Sequence, residues 1–484
     1  MEMIFHMRFL ATLFLTACGL FADSASNNRL VTYSAPEGVS LNPRFTVKVH
    51  APGEAWRDVP VYIVKVDAVR GVQHTPLDSS MCYFDFAGTV EVSVTLHADA
   101  IRSARIRPLS YNIQPAVQGS TLTFSLSQPR NVSVEVNGDI FANLHLFSNP
   151  IENERPDPND PRVLYYGPGL HTIPGNRLLV PSGKTVYIAG GAVVRGQIVC
   201  NGVSDVRVLG RGIIDQPRGS LRIANSARVE VDGVIGSQFF TGGSRNVTIR
   251  NVKCISYVGN GDGMNVISSQ DVLIDGVFNR NSDDCITVYA TRLGFTGGSR
   301  GVTVQNSTLW ADVAHPILVG THGNTPNPET IEDLVFSNLD ILDHMEPQID
   351  YQGTMALDAG DSNLIRNVRF ENIRVEDFRR GQLVNIRVFY NRKYCTSPGR
   401  GIENVYFKNV TYSGSHAEIS VIAGYDDARM VRNLVFENLV INGTLIWDKM
   451  PKPAWYKTSD MARFFVGEHV DGLEFRKTSE ASGN

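Results

Sequence analysis

The sequence predicts an all-β protein, a right-handed parallel β-helix preceded by an N-terminal β-sandwich. Three observations predict it. A short strand-like unit recurs at irregular intervals from about residue 200 onward, cleanly alternating segments precede it, and a segment rich in proline and acidic residues separates the two regions.

Residues 1–25 read as an export signal, with Arg8 ahead of an apolar run from Phe9 to Phe14 and Met7 as the start. The run closes in Leu15-Thr16-Ala17-Cys18-Gly19, which resembles a bacterial lipoprotein processing site with Cys18 as the acylated first residue. Cleavage nearer Ala22 or Ser24 is the alternative. The expected location is therefore the cell envelope or the outside, with membrane contact only through a lipid on Cys18, because no later apolar stretch reaches the length of a span. A length of 484 residues supports two domains, and a net charge of −4 gives no reason to expect nucleic acid. Beyond Cys18, the scattered Cys82, Cys200, Cys254, Cys285 and Cys395 make no disulfide framework and no zinc motif. No metal or cofactor is expected, and nothing specifies an oligomeric state.

Residues 26–150 carry runs such as Phe45-Thr46-Val47-Lys48-Val49, Val90-Glu91-Val92-Ser93-Val94 and Val132-Ser133-Val134-Glu135-Val136. Short alternating strands separated by Gly, Pro and Asp read as an antiparallel sandwich. The linker from Asn149 to Pro161 ends that region, and residues 151–484 form the β-helix with a C-terminal cap containing Trp447, Trp455, Phe464, Phe465 and Phe475.

The β-helix assignment rests on a unit with a small or polar pair followed by an apolar, any, apolar run. Its anchors are Val206, Val229, Val247, Val272, Val302, Leu334, Val368, Val405 and Leu434, lying 18 to 37 residues apart. Period-two alternation makes each unit a strand with one face inward. Irregular spacing excludes a propeller or a horseshoe and favours coils joined by variable loops. Asn251, Asn306, Asn338, Asn372, Asn409 and Asn438 recur just after the strand, where stacked amides bond along the solenoid.

Three carboxylates stand out on neighbouring coils: Asp262 in Asn260-Gly261-Asp262-Gly263, and Asp283 and Asp284 in Asn281-Ser282-Asp283-Asp284-Cys285. Clustered acids on a rigid surface suit glycosidic bond hydrolysis, one as proton donor and another to activate water. Three carboxylates packed this closely cannot all ionise without cost, so at least one holds a proton near neutrality. Turn capping or calcium binding is the structural alternative, made less economical by the paired acids one coil later.

These elements and their interval resemble the polygalacturonases of glycoside hydrolase family 28. The resemblance implies Asp283 as general acid, Asp262 and Asp284 as the water-activating pair, and inversion at the anomeric carbon. A following Gly-His-Gly is matched by His315 in Ala314-His315-Pro316, with His322 in Thr321-His322-Gly323 as competitor; a His beside the acid tunes its protonation or binds a sugar hydroxyl, with a hydrogen-bonded loop histidine as the alternative. The Arg-Ile-Lys that holds a uronate in that family is missing. The region reads Gln348-Ile349-Asp350 and later Ala356-Leu357-Asp358, so a neutral sugar is implied. The sandwich followed by a β-helix resembles family 49, the dextranase and isopullulanase group, which acts on neutral α-glucans.

Around the acids, Trp310, Tyr351, Tyr289 and Arg292 are candidates for stacking on sugar faces or bonding hydroxyls, with loop packing as the alternative for each. The expected partner is a polysaccharide or oligosaccharide. A pectin hydrolase, a β-helix lyase and a non-catalytic carbohydrate-binding solenoid are the competing functions.

Overall fold

The computed structural model describes residues 28–68, 73–97 and 99–478; the predicted signal and Cys18 lie outside the described residues. It is the predicted fold, a right-handed parallel β-helix behind a β-sandwich. Twenty-nine strands, from Val163–Tyr166 to Val470–Arg476, form the solenoid. Its interior is one continuous apolar core, with Phe336, Phe370, Phe407, Phe436 and Phe475 stacked at centroid separations of 4.8, 4.7, 4.6 and 5.3 Å.

The recurring polar pair has a backbone reason. The residue before each anchor (Asp205, Arg228, Asn246, Asp271, Gly301, Asp333, Asn367, Asn404 and Asn433) sits at φ of 53–65°. That left-handed conformation turns the chain into the strand, and Gly, Asn and Asp adopt it at least cost. The asparagines after the strand adopt it too, at φ of 50–58°. Their amides form ladders: Asn338 donates to Asn306 at 2.8 Å, Asn409 to Asn372 at 2.9 Å and Asn438 to Asn409 at 2.9 Å.

The N-terminal sheets depart from the expected all-antiparallel sandwich at one pairing. Asp139–Asn149 runs parallel to Pro76–Ala87, with Leu144 opposite Ser80. Both strands are buried on both faces along much of their length, which erases the alternation that reveals half-buried strands. The C-terminal cap also differs. Phe464 and Phe475 close the core, whereas Trp455 is 82% and Phe465 58% exposed. Among the described residues the five cysteines are free and buried, and no helix is long and apolar enough to cross a membrane.

Buried charges join the sheets to the solenoid. Arg280 bonds Asp312 at 2.8 Å and Asn143 of the sandwich at 2.9 Å, and Arg107 of the sandwich bonds Glu376 at 2.6 Å. Trp310 lies between these two guanidiniums, 3.9 Å from Arg280 and 5.0 Å from Arg107.

Asn409 both accepts and donates in its ladder. Asn409→Ala is expected to cost about 2 kcal/mol, the sum of a left-handed residue without Asn or Gly and a lost amide pair. Asn409→Gly is expected to cost about 1 kcal/mol, because it keeps the conformation and loses only the ladder. Urea unfolding of both variants checks the order.

Candidate active site

Coil-to-coil pairing sets the site. Met264 lies opposite Ile286, Ile286 opposite Ile317, Ile317 opposite Met355, and Met355 opposite Val384. These residues point into the core, so their neighbours Asn265, Thr287, Leu318, Ala356 and Asn385 face outward. The same register, read back two residues, aligns Asp262 with Asp284 and Asp284 with His315. Backbone bonds carry it there, from Gly263 N–H to Asp284 O and from Cys285 N–H to His315 O, each at 2.8 Å. Asp262 therefore stacks beside Asp284, 22 residues on, and not beside Asp283.

The glycines flanking Asp262 are steric necessities. A Cβ at Gly263 would collide with Asn281 and the Cys285 carbonyl, and one at Gly261 with Ser282 and the Val258 carbonyl. The loop is also pinned from below. Asn281 donates to Ser256 at 2.9 Å, Ser282 donates to the Val258 carbonyl at 2.6 Å, and Ser256 bonds the Gly261 carbonyl. One oxygen from each of Asp262, Asp283 and Asp284 lies within 4.8 Å of the others.

Their surroundings differ. Asp284 Oδ1 accepts from His315 Nδ1 at 2.7 Å and from the His315 backbone N–H at 3.1 Å, while Oδ2 accepts from Tyr289 Oη at 3.1 Å. His315 Nε2 faces the Tyr351 carbonyl at 2.8 Å. Both ring nitrogens therefore meet acceptors, which only the imidazolium satisfies fully. Burial opposes that charge, but the Asp284 carboxylate outweighs it and raises the His315 pKa. Burial likewise works to raise Asp284, yet the His315 cation and its bonds, with the Tyr289 hydroxyl, hold it below the usual carboxylate value.

Asp262 is pushed up to about 6 by burial and by the Asp284 charge, against the Asn265 amide, which donates to it at 2.5 Å, and the nearby Arg292. Burial and then the charges of Asp262 and Asp284 drive Asp283 well above its ordinary value, opposed by the Asp284 N–H that it accepts at 3.0 Å. The three carboxylates are thereby driven apart, Asp283 toward its protonated form and Asp284 toward its ionised one, a division that suits proton donation next to water activation.

The remaining sequence candidates fall into two groups. Arg292 is half-buried over the Tyr289 ring at 4.8 Å, close enough to Asp262 and Asp284 for their charges to raise its pKa. His322 packs edge-on to the same ring at 5.0 Å and is lowered to about 4 by burial and by Arg292, so it is neutral. Four others need correction as sugar-contacting residues. Trp310 is fully buried at the seam with the sandwich. Tyr289 is 1% exposed, with its hydroxyl on Asp284. Tyr351 is 6% exposed, stacked on Tyr394 at 4.2 Å and edge-on to His315 at 4.6 Å. His315 is wholly buried with both nitrogens committed, so it positions Asp284.

Asn265 went unpredicted, although it lies three residues after Asp262 on an outward position and bonds it. His344 underlies His315 at 5.9 Å, accepting from the Gly353 N–H at Nε2 and facing the Ala314 carbonyl at Nδ1. It is lowered to about 3, chiefly by burial and then by His315. It is the first residue after the strand Thr330–Asp343, on a connection that the repeat does not reach.

Residues 220–452, which include the three aspartates and His315, match the profile of Glycosyl hydrolases family 28. Endopolygalacturonase B of Aspergillus niger is 26% identical over 186 residues, 37% of this chain and 46% of that protein. A probable polygalacturonase of Arabidopsis thaliana is 23% identical over 219 residues, 44% of this chain and 46% of that protein. The match thus spans about half the length of these curated relatives. Among solved structures, Dex49A from Penicillium minioluteum superposes with a TM-score of 0.65 at 14% identity, covering 92% of this chain and 96% of that one. The chain is thus similar to family 28 in sequence over that segment and shares its fold with Dex49A.

His315→Gln removes the cation that holds Asp284 ionised. Loss of one partner of a buried pair is expected to lower stability by about 3–5 kcal/mol, measured by urea unfolding. The sign for Asp284 is definite. Its depressed pKa contributes stability above the unfolded value that is lost as pH falls through the folded one, so the variant's deficit should be largest at neutral pH and shrink in acid.

Proposed function

We propose that this protein is a glycoside hydrolase that cleaves a neutral polysaccharide with inversion, using Asp283 as general acid and Asp262 with Asp284 as the water-activating pair. The observation that carries this reading is the gathering of three carboxylates within 4.8 Å of one another with His315 and Tyr289 bonded to Asp284, supported by the family 28 match across the same residues. Asp283 gives its proton to the glycosidic oxygen as the bond to the anomeric carbon breaks. Water attacks that carbon from the opposite side and passes a proton to Asp262, the more basic of the two ionised acids. Asp284, tied by His315 and Tyr289, orients the water.

Inversion is supported by the bonds that already occupy Asp284 at both oxygens and Asp262 at one. These suit holding water more than attacking carbon. The close spacing would otherwise suit a retaining pair, a rule framed for acid and nucleophile facing each other across the sugar. Here all three acids lie on one floor.

The neutral substrate is supported by the coil after His315, whose strand Met355–Ala359 turns Ala356 and Asp358 outward. Asp358 is fully buried, its carboxylate accepts no hydrogen bond among the described residues, and it is raised to about 7, mainly by burial. That strand itself carries no Arg or Lys to hold a uronate. A second reading, a pectin hydrolase, draws on the curated relatives named as polygalacturonases and on Arg387, which follows Asp358 in register on the next coil. We further infer two domains, residues 26–150 and 151–484, and export through the N-terminal signal with Cys18 as the anchoring residue.

Neutral α-glucans, galactans and polygalacturonate, tested with reducing-end detection, separate the two substrates; release from polygalacturonate alone favours the second. Asp283→Asn is expected to lower kcat by about 10²–10⁴-fold while polymer binding persists, and unchanged release would sink the assignment. Proton NMR of the first product should show the anomer opposite to the substrate linkage. The kcat/KM profile should rise with pH as Asp262 ionises near 6 and fall once Asp283 loses its proton.

A further inference from the structure

A cleft of about 420 Å³ opens at the seam between the sandwich and the solenoid, and no step above uses it. Its volume lies in the range of small-molecule sites. The strand Tyr62–Asp67 supplies one wall, and the ends of the solenoid strands Ile213–Asp215 and Lys253–Ile255 supply the other. The floor is apolar, with Val193, Ile213 and Ile235 packed against Tyr62 and Met81. The rims are charged but internally neutralised, by Lys65–Asp78 at 2.9 Å on the sandwich and Arg195–Asp215 at 3.4 Å on the solenoid. Gln216 and Tyr257 also line it.

This combination selects a ligand class. Paired rim charges leave no surplus cation for a polyanion, and a purely apolar ligand would strand the polar rim against hydrocarbon. A neutral sugar has an apolar ring face for the floor and hydroxyls for the amide, the phenol and the ion-paired edges.

The cleft is continuous with the loop that carries Asp262. Ile255 and Tyr257 line it and lead directly into Asn260-Gly261-Asp262. Ser237, another lining residue, donates to the Gln216 carbonyl at 2.5 Å, and the adjacent Gln238 donates to the Asn260 carbonyl at 2.8 Å. From the sandwich, His74 is the nearest neighbour of Gly259 in that loop.

We infer that the seam cleft is a distal subsite, holding sugar units of the same glycan chain beyond the bond at the aspartates, on the Asp262 side. This inference rests on the hydrolase reading. Two variants test it from opposite walls: Tyr257→Ala combined with Gln216→Ala, and Val64→Arg, which fills the cleft from the sandwich. The probes are dextran, pullulan and a linear galactan, together with the trisaccharide of whichever polymer is cleaved. Both variants are expected to raise KM for the polymer about tenfold, with kcat for the polymer and all trisaccharide kinetics unchanged. An unchanged polymer KM in both variants, or equal losses on polymer and trisaccharide, would overturn the subsite. If the wild-type protein cleaves none of the three, the neutral-glycan reading fails separately, and affinity electrophoresis through gels containing the same polymers decides the cleft. Retardation of wild type that both variants lose supports it; retardation that the variants keep, or none at all, overturns it.

Discussion

Everything in this molecule depends on the lateral registration of parallel coils by their backbone hydrogen bonds. Once Met264, Ile286, Ile317 and Met355 are locked side by side, the residues two positions earlier have no freedom to drift. Asp262, Asp284 and His315 become neighbours although 22 and 31 residues separate them in sequence. Side chains do not choose that proximity, which would be unfavourable for the two acids alone; the backbone imposes it. The glycines around Asp262 keep the imposed approach free of steric conflict.

Electrostatics then divides equal groups into unequal ones. Asp284 is buried and Asp262 and Asp283 are half-buried beside it, and loss of water by itself would raise all three. His315 breaks the symmetry because its two nitrogens are trapped between an acid and a carbonyl, which favours the imidazolium beneath Asp284. Burial and then the Asp284 charge raise Asp262, while burial and the charges of Asp262 and then Asp284 raise Asp283. The tyrosines that looked like sugar platforms contribute indirectly: Tyr289 donates to Asp284, and the Tyr351 backbone completes His315.

The sequence carried the solenoid legibly because left-handed positions before and after each strand demand Gly, Asn or Asp, and those demands repeat. It carried the three aspartates for the same reason, since they stand out against the repeat. The parallel pair within the sandwich was hidden because strands buried on both faces have no alternation to read. Trp310 was misassigned because an aromatic near the acids in sequence can face either way across the sheet, and the buried Arg107 that claims it comes from the far end of the chain. His344 and the Tyr351 carbonyl were invisible for a related reason, as both belong to connections whose path is set by tertiary packing.

The spacing of 18 to 37 residues between strand anchors has an evolutionary meaning. Because registration is set within the strands and the left-handed corners tolerate any chain that leaves and returns, connections can lengthen without moving a column. Insertions are thereby uncoupled from the chemistry. A lineage built on this scaffold can trade one polymer for another by rewriting excursions at the rim, while the acids on the floor inherit their positions unchanged.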